Sequence, residues 1–272
     1  MIPLSLRGHV FNLHAHDTLA RIPRCSAGAV IVDPPASHVF PLGAGIEGGR
    51  IDELAEHLEP VLRHTWRVLM LGRPLIVLGD HSTLTAWDLA ATRAGLRRVG
   101  DLYILWTTSP PSDNGNGKVL HWFKKKASMS KRRAHQQKRP YAQPGSLATC
   151  VQWFAQPGLR CGFTERQTYS SNVYSCSRVP REIWEHPAQK PVELMKMILT
   201  TLTEKGSTIV DMYCGTGSTL VAAEMCGRSW VGGDIDGRMC EIARRRTGAE
   251  GDDVEEIAPI YRWSENRLEK IE

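Results

Sequence analysis

The chain has 272 residues, of which 42% are hydrophobic and 23% charged, and its formal net charge of +5 is mild. These are the values of a globular protein with a full core, and no apolar run reaches the roughly 18–20 residues of a membrane span. Because the seven cysteines form no CxxC pair and the first residues lack a signal-peptide layout, we expect a cytoplasmic protein without a disulfide framework or a structural zinc site.

The first third of the sequence predicts alternating strands and helices. Strands are predicted at HVFNLHA (9–15), AGAVIV (27–32), PLIVLGD (74–80) and DLYILWT (101–107), and helices at 51–70 and 82–97. We interpret His14 and His16 as solvated positions on the face of the first strand, not as metal ligands. Such alternation is typical of a mostly parallel sheet with helices on both faces.

The pattern breaks at residues 109–118, which have turn and loop chemistry. Between Asn114 and Thr164 there is no Asp or Glu, whereas ten Lys or Arg occur. Removing these ten from the 34 basic residues of the chain leaves 24 against 29 acidic ones, so this segment carries the whole positive balance. The asymmetry predicts a polyanionic partner, and the many aromatic residues between about 110 and 185 favour a partly ordered insert.

Regular α/β structure is predicted to resume at Pro191. The stretch 191–206 starts with proline and ends with glycine, as helices do. Strand STIVDMY (207–213), loop CGTGS, helix TLVAAEMCG (219–227), strand SWVGGDID (229–236) and a final helix from Met239 follow.

The loop CGTGS is the first candidate site. Gly215 and Gly217 allow a tight turn against which a ligand can lie, and the following helix offers free N–H groups. Asp234 ends the next strand, 23 positions after Asp211, a spacing that suits a carboxylate accepting from a ribose diol. The set indicates a nucleoside cofactor, either a dinucleotide or S-adenosylmethionine. A Walker-type phosphate loop is disfavoured because no GK[ST] follows.

The tripeptide Asp33-Pro34-Pro35 is the second candidate site. Two prolines fix the backbone after an apolar strand, leaving the Asp33 carboxylate and nearby carbonyls as acceptors. Two acceptors that hold the hydrogens of an exocyclic amine would expose its lone pair to a methyl donor, without a covalent enzyme intermediate. A plain strand-ending turn is the alternative.

Together, these motifs resemble those of the β-group amino DNA methyltransferases, in which the catalytic motif precedes the cofactor motif. HPAQKPVELMKMIL, DMYCGTGST, GGDID and HAHDTL are similar to further motifs of that family, and the resemblance covers about residues 1–108 and 185–245. It implies an α/β, Rossmann-like methyltransferase fold with a mostly parallel sheet, a circularly permuted motif order and an inserted target-recognition region. The expected organisation is a catalytic part (1–108), a basic target-recognition insert (109–185) and a cofactor-binding part (186–272) of one methyltransferase domain.

The resemblance also implies roles for individual residues. Asp33 and the Pro34 carbonyl would hold the target amino group, next to Pro35 and Ala36. The cofactor S-adenosylmethionine would be bound by Asp17 at its adenine, Lys190 near its carboxylate, Asp234 at its ribose, and Asp211, Tyr213, Cys214, Gly215, Gly217, Ser218 and Thr219 in the loop. In the basic insert, double-stranded DNA would be bound by Lys124, Lys125, Lys126, Lys131, Arg132, Arg133, Lys138 and Arg139. A homodimer is a further expectation from the family.

Ala36 departs from the family pattern, which has an aromatic ring there to stack on the flipped base. Losing such a ring would cost on the order of 1–3 kcal/mol of base binding. Three explanations remain: another aromatic such as Phe40 replaces it, the substitution is engineered, or the chain is a degenerate homologue.

Adenine N6 is the predicted target, because the cytosine N4 enzymes of the family more often start the tripeptide with Ser. A methyltransferase of RNA or of a protein amide is the second hypothesis, although such enzymes typically have Asn-Pro-Pro and place the glycine loop first. A catalytically inactive DNA- and cofactor-binding protein is the third.

Overall fold

A computed structural model describes residues 2–3, 6–33, 48–79, 84–107, 148–155, 173–249, 261–264 and 267–270. An eight-stranded sheet forms the centre, and a two-stranded pair lies near the end of the chain. The strands are β1 (Val10–Asn12), β2 (Ala29–Val32), β3 (Leu75–Gly79), β4 (Arg97–Thr107), β5 (Ala148–Ala155), β6 (Val173–Ser177), β7 (Thr208–Asp211), β8 (Ser229–Asp234), β9 (Tyr261–Ser264) and β10 (Arg267–Lys270). The helices are α1 (Ala15–Ala20), α2 (Gly48–Val68), α3 (Leu84–Arg93), α4 (Val192–Leu202), α5 (Ser218–Met225) and α6 (Gly237–Thr247).

The strand order in the large sheet is β1-β8-β7-β2-β3-β5-β4-β6. Within this sheet β5 alone runs against the others, since it pairs antiparallel with both β3 and β4. The carboxyl ends of the other seven strands therefore lie at one edge of the sheet. The predicted α/β fold with a mostly parallel sheet is confirmed.

Helices cover both faces of the sheet, which explains why the central strand β2 is apolar at every position. In β2, Val30 and Val32 pack into the core beneath α1, α2 and α3, while Ala29 and Ile31 pack into the core beneath α4, α5 and α6. Successive side chains of a strand point to opposite faces, so a sheet buried on both sides needs an uninterrupted apolar run. All four β2 residues are fully buried.

The predicted insert 109–185 contributes two strands to this central sheet. β5 lies between β3 and β4, and β6 pairs in parallel with β4. Part of the stretch, namely β5 and β6, therefore belongs to the α/β domain itself. Its basic part falls outside the described residues.

The interpretation of His14 and His16 as a strand face is wrong, because β1 ends at Asn12 and α1 begins at Ala15. His14 occupies the N-cap position of α1, and its ring stacks on that of His16 with centroids 5.5 Å apart. The short β1 leaves α1 free to cross the end of β8. A Cβ at Gly233 of β8 would lie 2.8 Å from the Thr18 hydroxyl of α1, so this close approach requires glycine.

Two buried arginines fasten helix ends near the sheet. Arg67, in the last turn of α2, donates to the carbonyls of Leu19 and Ile22 at 2.7 and 2.8 Å, where α1 ends. Arg228 donates to the Thr203 carbonyl at 2.7 Å, just beyond α4. Both guanidinium groups thus donate to carbonyls at or just beyond the carboxyl end of a helix, where intrahelical donors run out. None of the helices among the described residues is long and apolar enough to cross a bilayer.

Candidate active site

Three carboxylates lie at the carboxyl edge of the sheet: Asp33, Asp211 and Asp234, here termed the carboxylate trio. Asp211 ends β7 and lies in register with Ile31 of β2 and Gly232 of β8, while Asp234 ends β8 and Asp33 directly follows β2. From β7 the chain crosses to β8, whereas from β2 it crosses the opposite way, to β3. Ligands of open α/β sheets bind in the crevice formed at such a reversal.

Two glycines shape the loop between β7 and α5. Gly215 and Gly217 have φ angles of 51° and 79°, in the left-handed region that suits glycine. A Cβ at Gly217 would lie 3.0 Å from the Ala243 Cα of α6. At Gly215, a Cβ would meet, among the described residues, only the Tyr213 carbonyl oxygen at 4.0 Å. The loop is therefore packed against α6 at Gly217 and open to a ligand at Gly215.

Asp211 is buried beside this loop, with 1% of its surface exposed. Its carboxylate accepts a hydrogen bond from the Tyr213 backbone N–H at 3.1 Å and another from the Thr219 hydroxyl. Burial raises the pKa of Asp211 to about 7; these two bonds oppose the rise, and the charges of Asp33 and Asp234 add to it. A cation near the trio would favour the ionised form.

Asp234 connects the glycine loop to the end of β8. Its Oδ2 accepts from the Gly215 N–H at 2.9 Å and its Oδ1 from the Asp236 N–H at 3.0 Å. Burial raises the pKa of Asp234, and these backbone bonds oppose the rise. Each carboxylate oxygen has a further lone pair, so the group can also accept from a hydroxyl of a ribose.

Ile235 is a candidate site residue that the sequence interpretation did not include. It follows Asp234 directly and is 62% exposed, although it is apolar. Asn12 Nδ2 donates to the carbonyls of Asp234 and Ile235 at 3.1 and 2.9 Å and so holds this turn in place. The signal in the sequence was an isoleucine between two aspartates, outside the apolar part of the strand.

Tyr213 and Cys214 line the base of the loop. Tyr213 is half-buried against the core. Burial is the main cause that raises the pKa of its phenol to about 12, and the charge of Asp234 adds to it. Cys214 is buried, and burial raises the pKa of its thiol well above the ordinary value. Raised pKa values favour the neutral form of both groups, and the buried Cys214 packs in the core between β7 and β8.

Arg246 of α6 holds the glycine loop through hydrogen bonds, and the sequence interpretation did not include it. Its Nη1 donates to the Thr216 carbonyl and hydroxyl at 2.6 and 3.0 Å and to the Ser218 hydroxyl at 3.3 Å. Burial lowers the pKa of Arg246, and the charge of Glu185 opposes this. Sequence alone shows Arg246 as one of three consecutive arginines, which resemble a solvated end of a helix.

Lys190 contacts a different group from the one implied by the resemblance. Its Nζ lies 2.5 Å from Asp33 Oδ2, and about a fifth of each side chain is exposed. The prediction placed Lys190 near the cofactor carboxylate. In the structure it pairs with the proposed catalytic carboxylate, across 157 residues of sequence, and its role near the cofactor carboxylate stays a prediction.

Asp17 lies in the first turn of α1, with its side chain 47% exposed. The Asp17 carboxylate lies 3.5 Å from Nε2 of His16. The backbone carbonyl of Asp17 accepts a hydrogen bond from the Arg21 side chain at 2.9 Å. Because α1 follows β1 and approaches the end of β8, Asp17 belongs to the edge of the sheet that holds the carboxylate trio.

The sequence profile of a family described as "DNA methylase" matches residues 46–245. A protein of Escherichia coli (strain K12), YubD, which is named as a methylase, is 36% identical over 234 residues that cover 85% of this chain and 86% of that protein. The chain belongs to the DNA methylase family. Enzymes of this family depend on S-adenosylmethionine.

Further members of the DNA methylase family match over shorter segments. The type II methyltransferase M2.DpnII of Streptococcus pneumoniae is 36% identical over 75 residues, which cover 28% of either chain. M.HindIII of Haemophilus influenzae is 31% identical over 80 residues. Such matches span about a quarter of the length of these type II relatives.

Solved structures show the methyltransferase fold. A complex of M1.HpyAVI with S-adenosylmethionine has a TM-score of 0.58 and 14% identity, and the match covers 88% of this chain and 98% of that one. PvuII DNA methyltransferase, titled cytosine-N4-specific, has a TM-score of 0.60 and 17% identity over 89% of this chain and 93% of its own. The predicted Rossmann-like methyltransferase fold is thereby confirmed.

Several predicted site residues lie outside the described residues. They are Pro34, Pro35 and Ala36 of the tripeptide, together with the basic residues Lys124, Lys125, Lys126, Lys131, Arg132, Arg133, Lys138 and Arg139. Of the predicted cofactor residues, the loop 211–219 and Asp234 come together at the edge of the sheet, and Asp17 lies on the neighbouring helix.

Proposed function

We propose that this chain transfers a methyl group from S-adenosylmethionine to adenine N6 of a base flipped out of duplex DNA. The observation that carries the proposal is the place of Asp33, at the end of β2 and beside the end of β7 where the glycine loop begins. An acceptor for the hydrogens of an amino group thus adjoins a site suited to a nucleoside. Membership of the DNA methylase family supports DNA as the substrate.

The described residues fit S-adenosylmethionine as the cofactor. The open face at Gly215 admits a ligand against the backbone, and Asp234 offers acceptors to the ribose hydroxyls. The exposed Ile235 provides an apolar surface for the adenine, and Asp17 lies on the neighbouring helix α1. The mutual repulsion within the carboxylate trio favours a cationic ligand over a neutral one.

Positioning and electrostatics account for the proposed chemistry. S-adenosylmethionine, when bound, supplies an electrophilic methyl group on a positively charged sulfur. The Asp33 carboxylate and the Pro34 carbonyl accept the hydrogens of the target amine, whose lone pair then becomes available to the methyl carbon. As the nitrogen–carbon bond forms, the bond between the methyl carbon and the sulfur would break, and S-adenosylhomocysteine would leave with a neutral sulfur. The nitrogen gains positive charge, and Asp33 accepts the proton that it loses. Holding the reactants in this geometry replaces a covalent enzyme intermediate.

The target base must leave the stack before it reaches Asp33, so DNA approaches the carboxyl edge of the sheet. We assign the neutralisation of phosphates to the basic part of the insert 109–185. Two exposed arginines at the same edge add to it: the guanidinium of Arg178 lies 4.9 Å from the ring centroid of Trp106, and that of Arg181 lies 5.7 Å from that of Trp184. These four residues are here termed the arginine–tryptophan edge.

Mass spectrometry of nucleosides after incubation with labelled cofactor and duplex DNA tests the proposal. We expect the label in N6-methyladenine. Asp33→Asn should abolish transfer because it removes the negative charge from the acceptor. Asp88→Asn, which changes an exposed aspartate of α3 paired with Arg98, is the matched control and should transfer at the wild-type rate. Label found only in RNA or in protein would refute the proposal.

Cytosine N4 is the alternative target, and the likeness to PvuII DNA methyltransferase supports it. If the label appears in N4-methylcytosine, the target base is cytosine and the rest of the proposal stands. If a degenerate site explains Ala36, the DNA remains unlabelled although cofactor and DNA both bind. A large gain in transfer by Ala36→Tyr would identify the missing ring as the limiting feature.

The domain organisation and the homodimer also belong to this proposal. Residues 1–108 and 186–272 form the catalytic and cofactor-binding parts, with target recognition in the basic stretch between them. Sedimentation of the purified protein tests the dimer, and a monomer at all concentrations would refute it.

A further inference from the structure

The contact between Lys190 and Asp33 joins the two halves of the chain at the reaction site. Lys190 Nζ lies 2.5 Å from Asp33 Oδ2, and neither side chain is more than 22% exposed. The second oxygen, Oδ1, has no hydrogen-bond partner among the described residues. Lys190 is also, within those residues, the only basic side chain in ion-pair contact with the carboxylate trio.

The backbone that carries Lys190 is fixed on both sides. Before it, the Gln189 N–H donates to the His186 carbonyl at 2.9 Å, and the Gln189 side chain accepts from the Glu185 N–H at 2.8 Å. After it, Pro191 is the N-cap residue of α4 and disfavours helical backbone angles at Lys190. Glu185 also pairs with Arg245 of α6 at 2.7 Å. The ammonium group is therefore presented to Asp33 from a constrained segment.

Repulsion within the carboxylate trio explains why Asp33 needs the contact with Lys190. Asp33 adds its negative charge to a site where Asp211 and Asp234 already repel each other. A carboxylate in such surroundings would turn toward water unless a cation held it. A charge-assisted hydrogen bond to one oxygen fixes the plane of the group and leaves the other oxygen for a substrate.

The geometry points to Lys190 as a positioning residue for methyl transfer: its ammonium holds Asp33 through Oδ2, so that Oδ1 accepts a hydrogen of the target amino group. This inference rests on the proposed function, in which Asp33 is that acceptor. It differs from the role implied by the resemblance, in which Lys190 binds the cofactor carboxylate. Lys190 acts only through Asp33.

Substitution of Lys190 separates the two roles. Lys190→Met should lower the single-turnover rate of methyl transfer about 10- to 100-fold at saturating cofactor and DNA, because a hydrogen bond to a charged group is lost. The dissociation constant of S-adenosylmethionine should not change. Lys190→Arg should restore part of the rate, since a guanidinium also donates to a carboxylate. Lys196→Met is the matched control: Lys196 lies on α4, pairs with Glu193 at 3.0 Å, and should tolerate the change.

A double-mutant cycle tests the contact without any activity. The free energy of unfolding is measured for the wild type, Lys190→Met, Asp33→Asn and the double variant, all without cofactor. We expect the two substitutions to be coupled, as residues in contact are. Additive effects would show that the pair does not form in solution and would overturn the inference.

The remaining outcomes are equally decisive. If Lys190→Met weakens cofactor binding but transfers at the wild-type rate once saturated, Lys190 serves the cofactor and the inference fails while the proposed function stands. If the wild type transfers no methyl group to DNA, the proposed function fails, and with it the role of Lys190 in transfer. In that event the cycle still decides whether Lys190 holds Asp33.

Discussion

At the scale of single residues, the burial of Asp211 sets how its charge depends on pH. Its pKa rises from the ordinary 3.8 to about 7, chiefly through burial. The folded state therefore binds a proton that the unfolded state has already released between these two values. The contribution of Asp211 to stability is fully present below about pH 4 and is lost as the pH rises through about 7.

We expect Asp211→Asn, which keeps the shape of the side chain and removes its charge, to abolish this dependence. From about pH 4 to pH 7, the free energy of unfolding of the wild type should fall relative to the variant, by on the order of 1 kcal/mol per pH unit. Urea unfolding at several pH values measures the difference. Asp88→Asn serves as the control and should follow the wild type. A constant difference between wild type and Asp211→Asn over this range would contradict the assignment.

The motifs in the sequence predicted which residues carry the chemistry but not what they touch. Asp211, Asp234 and Asp33 follow apolar strands, and parallel strands bring their carboxyl ends to one edge, so their meeting could be predicted. The partner of Lys190 could not, because it lies 157 residues away and no local pattern encodes that distance. Ile235 was missed because an apolar residue is ordinarily assigned to the core; its only signal was its place between two aspartates.

At the scale of elements, glycines decide how closely the helices approach the site. Gly233 lets α1 lie against the end of β8, and Gly217 lets α6 pack on the start of α5. Gly232 likewise admits Leu220 of α5, because a Cβ there would lie 2.7 Å from its Cδ1. The site is thus built from helix–strand contacts that larger residues would separate.

Gly217→Ala and Gly215→Ala should differ in which property they damage. Each places a Cβ on left-handed backbone, at about 1–2 kcal/mol of stability. Gly217→Ala should lose more than that, because its Cβ also presses on Ala243. Gly215→Ala should lose only the stability that the backbone strain costs. It should nevertheless weaken S-adenosylmethionine binding strongly, since its Cβ enters the open face of the loop. Urea unfolding and calorimetric titration measure the two effects. A larger loss of stability in Gly215→Ala than in Gly217→Ala would contradict this view of the loop.

Element prediction succeeded where apolar periodicity was strong and failed in the insert. β2, β3, β7 and β8 are short apolar runs between polar turns, and the sequence predicted all of them. β5 contains Trp153 and Phe154, but it lies in a segment without clear period, and it pairs with β3 and β4 through contacts distant in sequence. The local sequence pattern does not show that β5, which follows β3 and β4 in the chain, lies between them in the sheet.

At the scale of the whole molecule, the distribution of charge bears on how the proposed DNA substrate would approach. Outside the ten basic residues between Asn114 and Thr164, the chain has 24 basic and 29 acidic residues, so most of its surface does not attract a polyanion. The arginine–tryptophan edge is an exception, since Arg178 follows β6 at the edge of the sheet that holds Asp33. β4 extends from Arg97 at the opposite edge to Trp106 at this one.

Replacing both Arg178 and Arg181 by Ala should weaken DNA binding equally for all sequences. If each arginine neutralises one phosphate, the slope of the logarithm of the binding constant against the logarithm of salt concentration should become shallower by about 2 in total. Fluorescence anisotropy at several salt concentrations measures this slope. Arg97→Ala is the matched control, because Arg97 is an exposed arginine at the other end of β4 and should leave the slope unchanged. An unchanged slope in the double variant would remove the arginine–tryptophan edge from the DNA interface and leave phosphate binding to the insert alone.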